Sequence, residues 1–200
     1  MKSLSTSINN LLHNWTNFSK LITRITDNKN DFPLQITGIH GSLFTCFLSE
    51  LSSQIYYKTL QSIQYSATKG KGKLDHLSQD LLIVVPGEYE QNNLITDIKT
   101  ILPQAQIYTF PSWGTIPYRP AATGSIVFGQ RAGFLSKLCE QVEFTTDVKP
   151  RIFIITQRSF ITALPPPQYT KQFSFCLKKK DLIDTVKIAQ KLAVLGYTRV

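Results

Sequence analysis

The sequence predicts an α/β fold in which a doubly wound, mainly parallel sheet is followed by the start of a small α+β domain. Three observations predict it. Two unbroken apolar runs, Leu81-Leu82-Ile83-Val84-Val85 and Ile152-Phe153-Ile154-Ile155, have the composition of strands buried on both faces of a parallel sheet. Segments of helical period alternate with these runs, which implies parallel pairing through right-handed crossovers. The run Pro165-Pro166-Pro167 then marks a semi-rigid exit, since consecutive prolines lack backbone donors and favour an extended chain.

Taken in order, Leu4, Ile8, Leu11, Leu12, Trp15, Phe18, Leu21 and Ile22 recur at spacings of three and four and predict one amphipathic helix over 4–24. The polar run 26–31 and Pro33 end it, so residues 1–30 read as a helix and linker ahead of an α/β domain over 31–165. A short strand is expected at 34–37. It breaks at Gly38-Ile39-His40-Gly41, after which Leu43, Phe44, Phe47, Leu48, Leu51, Ile55 and Tyr56 return with helical period. Residues 66–80, with Lys69-Gly70-Lys71-Gly72-Lys73, read as a mobile basic loop.

The apolar strand 81–85 ends at Pro86-Gly87, and Leu94, Ile95, Ile98, Ile101 and Leu102 supply a covering helix that Pro103 stops. A strand over 106–110 must end at Phe110, because Pro111 cannot donate to a central ladder. A helix over about 125–142, the strand 151–156 and a short helix 157–164 complete the domain. Beyond the prolines, a strand near 172–177 and a helix from Asp181 to Leu195 open a second domain over 168–200. One strand and one helix cannot bury a core, so a truncated longer polypeptide is expected.

Composition excludes several classes. Hydrophobic residues at 42% and charged residues at 18% describe a globular chain. A net charge of +9 favours an anionic partner but specifies no site. Cys46, Cys139 and Cys176 are dispersed in apolar settings, and His13, His40 and His76 are scattered too, so neither a disulfide frame nor a metal site is expected. No apolar run approaches the roughly 18–20 residues that span a bilayer, and a cytoplasmic protein without membrane contact is expected.

Two stretches carry the candidate chemistry. Set against G-x-x-x-x-G-K-T, the run Gly38-Ile39-His40-Gly41-Ser42-Leu43-Phe44-Thr45 keeps Gly38 and Thr45 but has Leu43 for the second glycine and Phe44 for the lysine. An apolar ring there would stand where a polyanion must sit, and Leu43 adds a Cβ where the backbone must approach closely. This is a degenerate nucleotide loop, predicted not to bind. Neither 84–87 nor 154–157 continues into the Asp-Glu pair that would hold magnesium, so no hydrolysis and no cofactor are expected. Ser42 and Ser159 lack His and acid partners, and Cys46 lies within an apolar helix face where a thiol is inert.

The second stretch is 106–118, where the strand runs into an aromatic loop containing Trp113, Ile116 and Tyr118. Such aromatics pin a loop to the domain body or offer a recognition surface, and their burial tendency favours the first. Arg131 and Arg158 fall near element starts at the carboxyl side of the sheet, where open α/β sheets bind ligands, and Lys178-Lys179-Lys180 form a basic corner. All five are candidate anion or partner contacts, with capping, ion pairing or solvation the ordinary alternatives.

The pattern Phe110-x-x-Trp113-x-Thr115-Ile116-Pro117-Tyr118, the helix with Gln130-Arg131, and the strand leading to Arg158-Ser159-Phe160 resemble the amino-terminal module of bacterial transcription-repair coupling factors, itself similar to the excinuclease component UvrB. The resemblance covers roughly residues 30 to 200, with departures at Gly114, where the family usually has an acid, and at Arg119. It implies a degenerate P-loop NTPase fold that has lost ATP binding, the motor lying elsewhere in the full-length family. It also implies a non-catalytic role in nucleotide excision repair: recruiting the excinuclease damage-recognition subunit to stalled RNA polymerase, with the docking domain beginning near residue 170. DNA and RNA polymerase would be met through other parts of the full-length protein. Two alternatives are a functional P-loop nucleotide hydrolase and a basic DNA-binding protein. The aromatic hairpin with which UvrB grips DNA is not expected here, because only about a dozen residues separate Phe110 from the next helix.

Overall fold

The computed structural model describes residues 4–27, 33–69, 80–114, 125–140, 149–175, 177 and 182–194. Its packing divides the chain into two compact units: Met1–Ser112 with Phe144–Ile161, and Trp113–Glu143 with Thr162–Val200.

The first unit is built on a parallel sheet of β1 (Asp80–Val85), β2 (Gln106–Phe110) and β3 (Arg151–Thr156) in the order β1-β3-β2. β1 and β2 are therefore set one strand apart and β3 enters between them, with Leu82 and Tyr108 both opposite Phe153. The unbroken apolar run of β3 follows from that central position. All six residues are buried, and Ile152, Phe153 and Ile154 are fully so, each contributing roughly 1.5–3 kcal/mol. β1 departs from the expectation of burial on both faces. Ile83 and Val85 join the core, whereas Leu82 and Val84 alternate onto the opposite face and are 50% and 44% exposed, at the edge of the described sheet.

One face of the sheet is covered by helices α3 (Ser42–Lys69) and α4 (Glu88–Ile101), with α1 (Leu4–Asn14) and α2 (Thr16–Asp27) packed on them. α4 starts with Glu88 and Glu90, which complement the positive end of its dipole, and buries Gln91, Leu94 and Ile98 at spacings of three and four. Leu102 closes it by donating its N–H to Ile98 O at 2.7 Å, and Pro103 prevents continuation. The single helix expected over 4–24 is two. Trp15 ends α1, and its carbonyl accepts from Ser19 N at 3.1 Å to start α2. The break lets Leu12 of α1 and Phe18 and Ile22 of α2 enter one core, with Phe18 edge-on to Phe47 of α3.

Three further expectations are corrected. Residues 34–37 join no ladder, so the described sheet has three strands; the segment is clipped between Pro33 and Gly38 and none of its side chains is buried. α3 continues through Lys69 into the stretch read as a loop from 66, while 70–79 lie outside the described residues. The short helix after β3 spans only Gln157–Phe160 and is capped by the Thr156 hydroxyl, which accepts from Ser159 N.

The second unit holds α5 (Ser125–Cys139), which precedes β3 in the chain, together with α7 (Pro167–Phe173) and α8 (Thr185–Val194), the Gln157–Phe160 helix of the first unit being α6. α5 packs on α7. The strand expected near 172–177 is displaced by α7. Pro166, at φ −55° and ψ 145°, is its N-cap and Pro167 its first residue, where a missing N–H costs nothing. α8 begins later than Asp181, which is outside the described residues. The Asp184 carboxylate accepts from Val186 N at 3.1 Å and Lys187 N at 3.2 Å and so sets its start.

Candidate functional site

The loop before α3 takes its path from two glycines. Gly38 at φ +82° and Gly41 at φ +56° occupy the left-handed region that residues with a Cβ avoid, and Gly41 O accepts from Phe44 N at 3.0 Å. Ile39 and Leu43 turn onto the core, Ser42 is exposed, and Phe44 is 37% exposed. Thr45 is buried. Its hydroxyl donates to Asp97 Oδ2 of α4 at 3.5 Å, so the group that would meet magnesium in a phosphate loop links two helices instead. Of the residues that the sequence groups as a nucleotide loop, Ile39, Leu43 and Thr45 face the packed interior, while His40, Ser42 and Phe44 are exposed.

The carboxyl end of the sheet is the place where open α/β folds bind ligands. Its polar groups answer one another. Glu88, the first residue of α4, accepts from the Ser112 hydroxyl at 3.2 Å, which ties the end of β2 to the helix that follows β1. Gln91 Nε2 donates to Ile154 O at 2.9 Å, and the buried Thr156 and Ser159 hydroxyls are 2.9 Å apart. A carboxylate therefore already occupies the α4 amino terminus, where an anion would otherwise be favoured. Arg158 is exposed on α6. Sequence reasoning missed Glu88, Gln91 and Ser112; the available signal was an acid directly after Pro86-Gly87 at a helix start.

Of the aromatic loop, Phe110 is buried at the end of β2, while Thr115, Pro117 and Tyr118 lie outside the described residues. In the second unit Trp113 and Arg131 come together. The guanidinium carbon is 4.4 Å from the indole centroid, and Arg131 Nη2 donates to Thr162 Oγ1 at 3.1 Å. Arg131 is 5% exposed, and burial pushes its pKa down. Gly114 stands at φ +65° with open space around it, so an acid there would meet backbone strain and no clash. Lys178, Lys179 and Lys180 lie outside the described residues.

At the amino ends of the strands, Arg151 Nε donates to Asp80 Oδ1 at 2.7 Å and Nη2 pairs with Oδ2, a bidentate link between β3 and β1. Burial raises the pKa of the Cys46 thiol, against a bond from its own backbone and with a smaller push from Asp97. Such a thiol is a poor nucleophile. Among the described residues, no three His, Cys, Asp or Glu side chains are grouped to hold a metal, and no helix is long and apolar enough to cross a membrane.

Comparison with known proteins finds relatives of one description. The chain is 28% identical over 121 residues to a transcription-repair-coupling factor of Rickettsia bellii, covering 60% of this chain and 10% of that protein. It is 26% identical over 124 residues to the factor of Rickettsia typhi, covering 62% and 10%. It is 23% identical over 128 residues to that of Haemophilus influenzae, covering 64% and 11%. The chain thus spans about a tenth of the length of the curated relatives it matches. No protein-family model matches it, and no solved structure does.

Proposed function

We propose that this chain is a non-catalytic interaction module of a transcription-repair coupling factor, built on a P-loop-type α/β domain whose nucleotide site has decayed. In a full-length factor it would serve nucleotide excision repair by helping to bring the excinuclease damage-recognition subunit to a stalled RNA polymerase. The likeness to coupling factors supports the family context. A domain over 31–165 followed by the beginning of a partner-docking domain over 168–200 is part of the same reading.

Phe44 carries the non-catalytic half of it. A phosphate loop places a lysine directly before its Ser or Thr, because several charges of one sign need a cation at that point. Here the residue before Thr45 is Phe44, Thr45 is turned to Asp97, and Glu88 supplies the negative charge at the neighbouring helix terminus. Phosphate release from ATP, measured with and without duplex DNA, tests this. Release at the buffer rate in both is expected. DNA-stimulated turnover would contradict it, and nanomolar DNA affinity falling steeply with salt would favour a DNA-binding protein instead.

A further inference from the structure

The chain enters the second unit twice from the first, at Trp113 after β2 and at Thr162 after β3 and α6. One side chain touches both of those crossing residues. Arg131, in the middle of α5, lays its guanidinium 4.4 Å from the Trp113 ring centroid and directs Nη2 to Thr162 Oγ1 at 3.1 Å. Trp113 and Thr162 are forty-nine positions apart, from the difference of their numbers, so local chain stiffness does not hold them together. The guanidinium suits this double duty because it is planar. Its face stacks on an aromatic ring while its edge still donates in a fixed direction, which a lysine ammonium cannot do. The group is also buried, which strengthens both contacts and raises the cost of leaving either unmade.

We propose that Arg131 is a clasp coupling the aromatic loop to the segment that leads into α7, so that displacing the Trp113 ring is felt at Thr162 and the reverse. A partner that takes hold of the Trp113 loop would then alter the start of the chain feeding α7 and α8 without touching it. Arg131 has a contact on each side, and the energy of each contact should depend on the other.

Fluorescence of the whole chain tests the clasp. Of its two tryptophans, Trp15 is half-exposed and can be replaced by Phe, leaving Trp113 as the reporter. Arg131→Ala is expected to raise acrylamide quenching of Trp113 about two- to threefold, the effect of losing a cation–π contact. Thr162→Val, which does not alter any atom stacked on the indole, is expected to raise it by a smaller amount, and to add nothing in the Arg131→Ala background. Arg131→Lys should behave like Arg131→Ala. Thr162→Val removes one hydroxyl and carries the test alone if the Arg131 variants do not fold. A Thr162→Val protein with unchanged Trp113 quenching overturns the proposal, as do additive effects of the two substitutions or a wild-type response from Arg131→Lys.

Discussion

The hydroxyl of Thr45 donates to Asp97 Oδ2 across 3.5 Å, which turns the last residue of the glycine loop into a contact between α3 and α4. At that length the bond is weak. Thr45→Val should therefore change stability by no more than about 1 kcal/mol, read as a small shift of the urea midpoint with unchanged slope. A much larger loss would mean that Thr45 holds more than this contact.

The Asp80–Arg151 pair should behave asymmetrically. The Arg151 side chain is nearly buried and the Asp80 side chain about one-fifth exposed, so Asp80→Ala removes the bidentate carboxylate from a nearly buried guanidinium at the sheet's amino end. Discounted for the exposure of Asp80, the loss should be about 2–3 kcal/mol, and Asp80→Leu with Arg151→Met should recover much of it. Chemical denaturation of the single and double variants reads both.

Truncations within the sheet should separate centre from edge. Phe153 is fully buried and stacks on Tyr108 with centroids 5.1 Å apart, so Phe153→Ala should cost about 3–5 kcal/mol. Leu82 lies in register with it on the exposed edge of β1, and Leu82→Ala should cost less than about 1 kcal/mol. Thermal melts of the two proteins should differ by many degrees.

The Cys46 thiol provides a pH signature. Its folded pKa is raised by burial, so the unfolded chain loses this proton first as pH rises. The stability it contributes is complete below the unfolded value of about 8.5 and is lost as pH climbs from there through the folded pKa. Cys46→Ser should flatten the alkaline fall in stability. In the native protein a thiol reagent at about pH 8 should modify the half-buried Cys139 before Cys46.

Much of the first unit was legible in the chain. The runs 81–85 and 151–155, the helix ended by Pro103 and the strand ended by Pro111 all carry local signals strong enough to decide their own structure. The failures share a cause. Whether Leu82 and Val84 are covered depends on the strand order, which no local pattern encodes, and 34–37 has strand composition without a partner in the described sheet. Trp15 sits on the apolar stripe of a continuous helix, yet the core is reached only by breaking there. Pro167 reads as the end of a domain but serves as the first residue of α7, since Pro is equally at home in an extended run and at a helix start. At the site, Phe44 in the lysine position is a reading of the motif alone, since a motif fixes which residue type the chemistry needs. The meeting of Trp113 with Arg131, and of Ser112 with Glu88, depends on tertiary packing that spacing does not reveal.

Calorimetric titration of the folded chain with magnesium and ATP tests the central claim most directly. With Phe44 in place of a lysine and Glu88 at the α4 amino terminus, no saturable binding is predicted up to millimolar nucleotide. A micromolar dissociation constant would contradict the account.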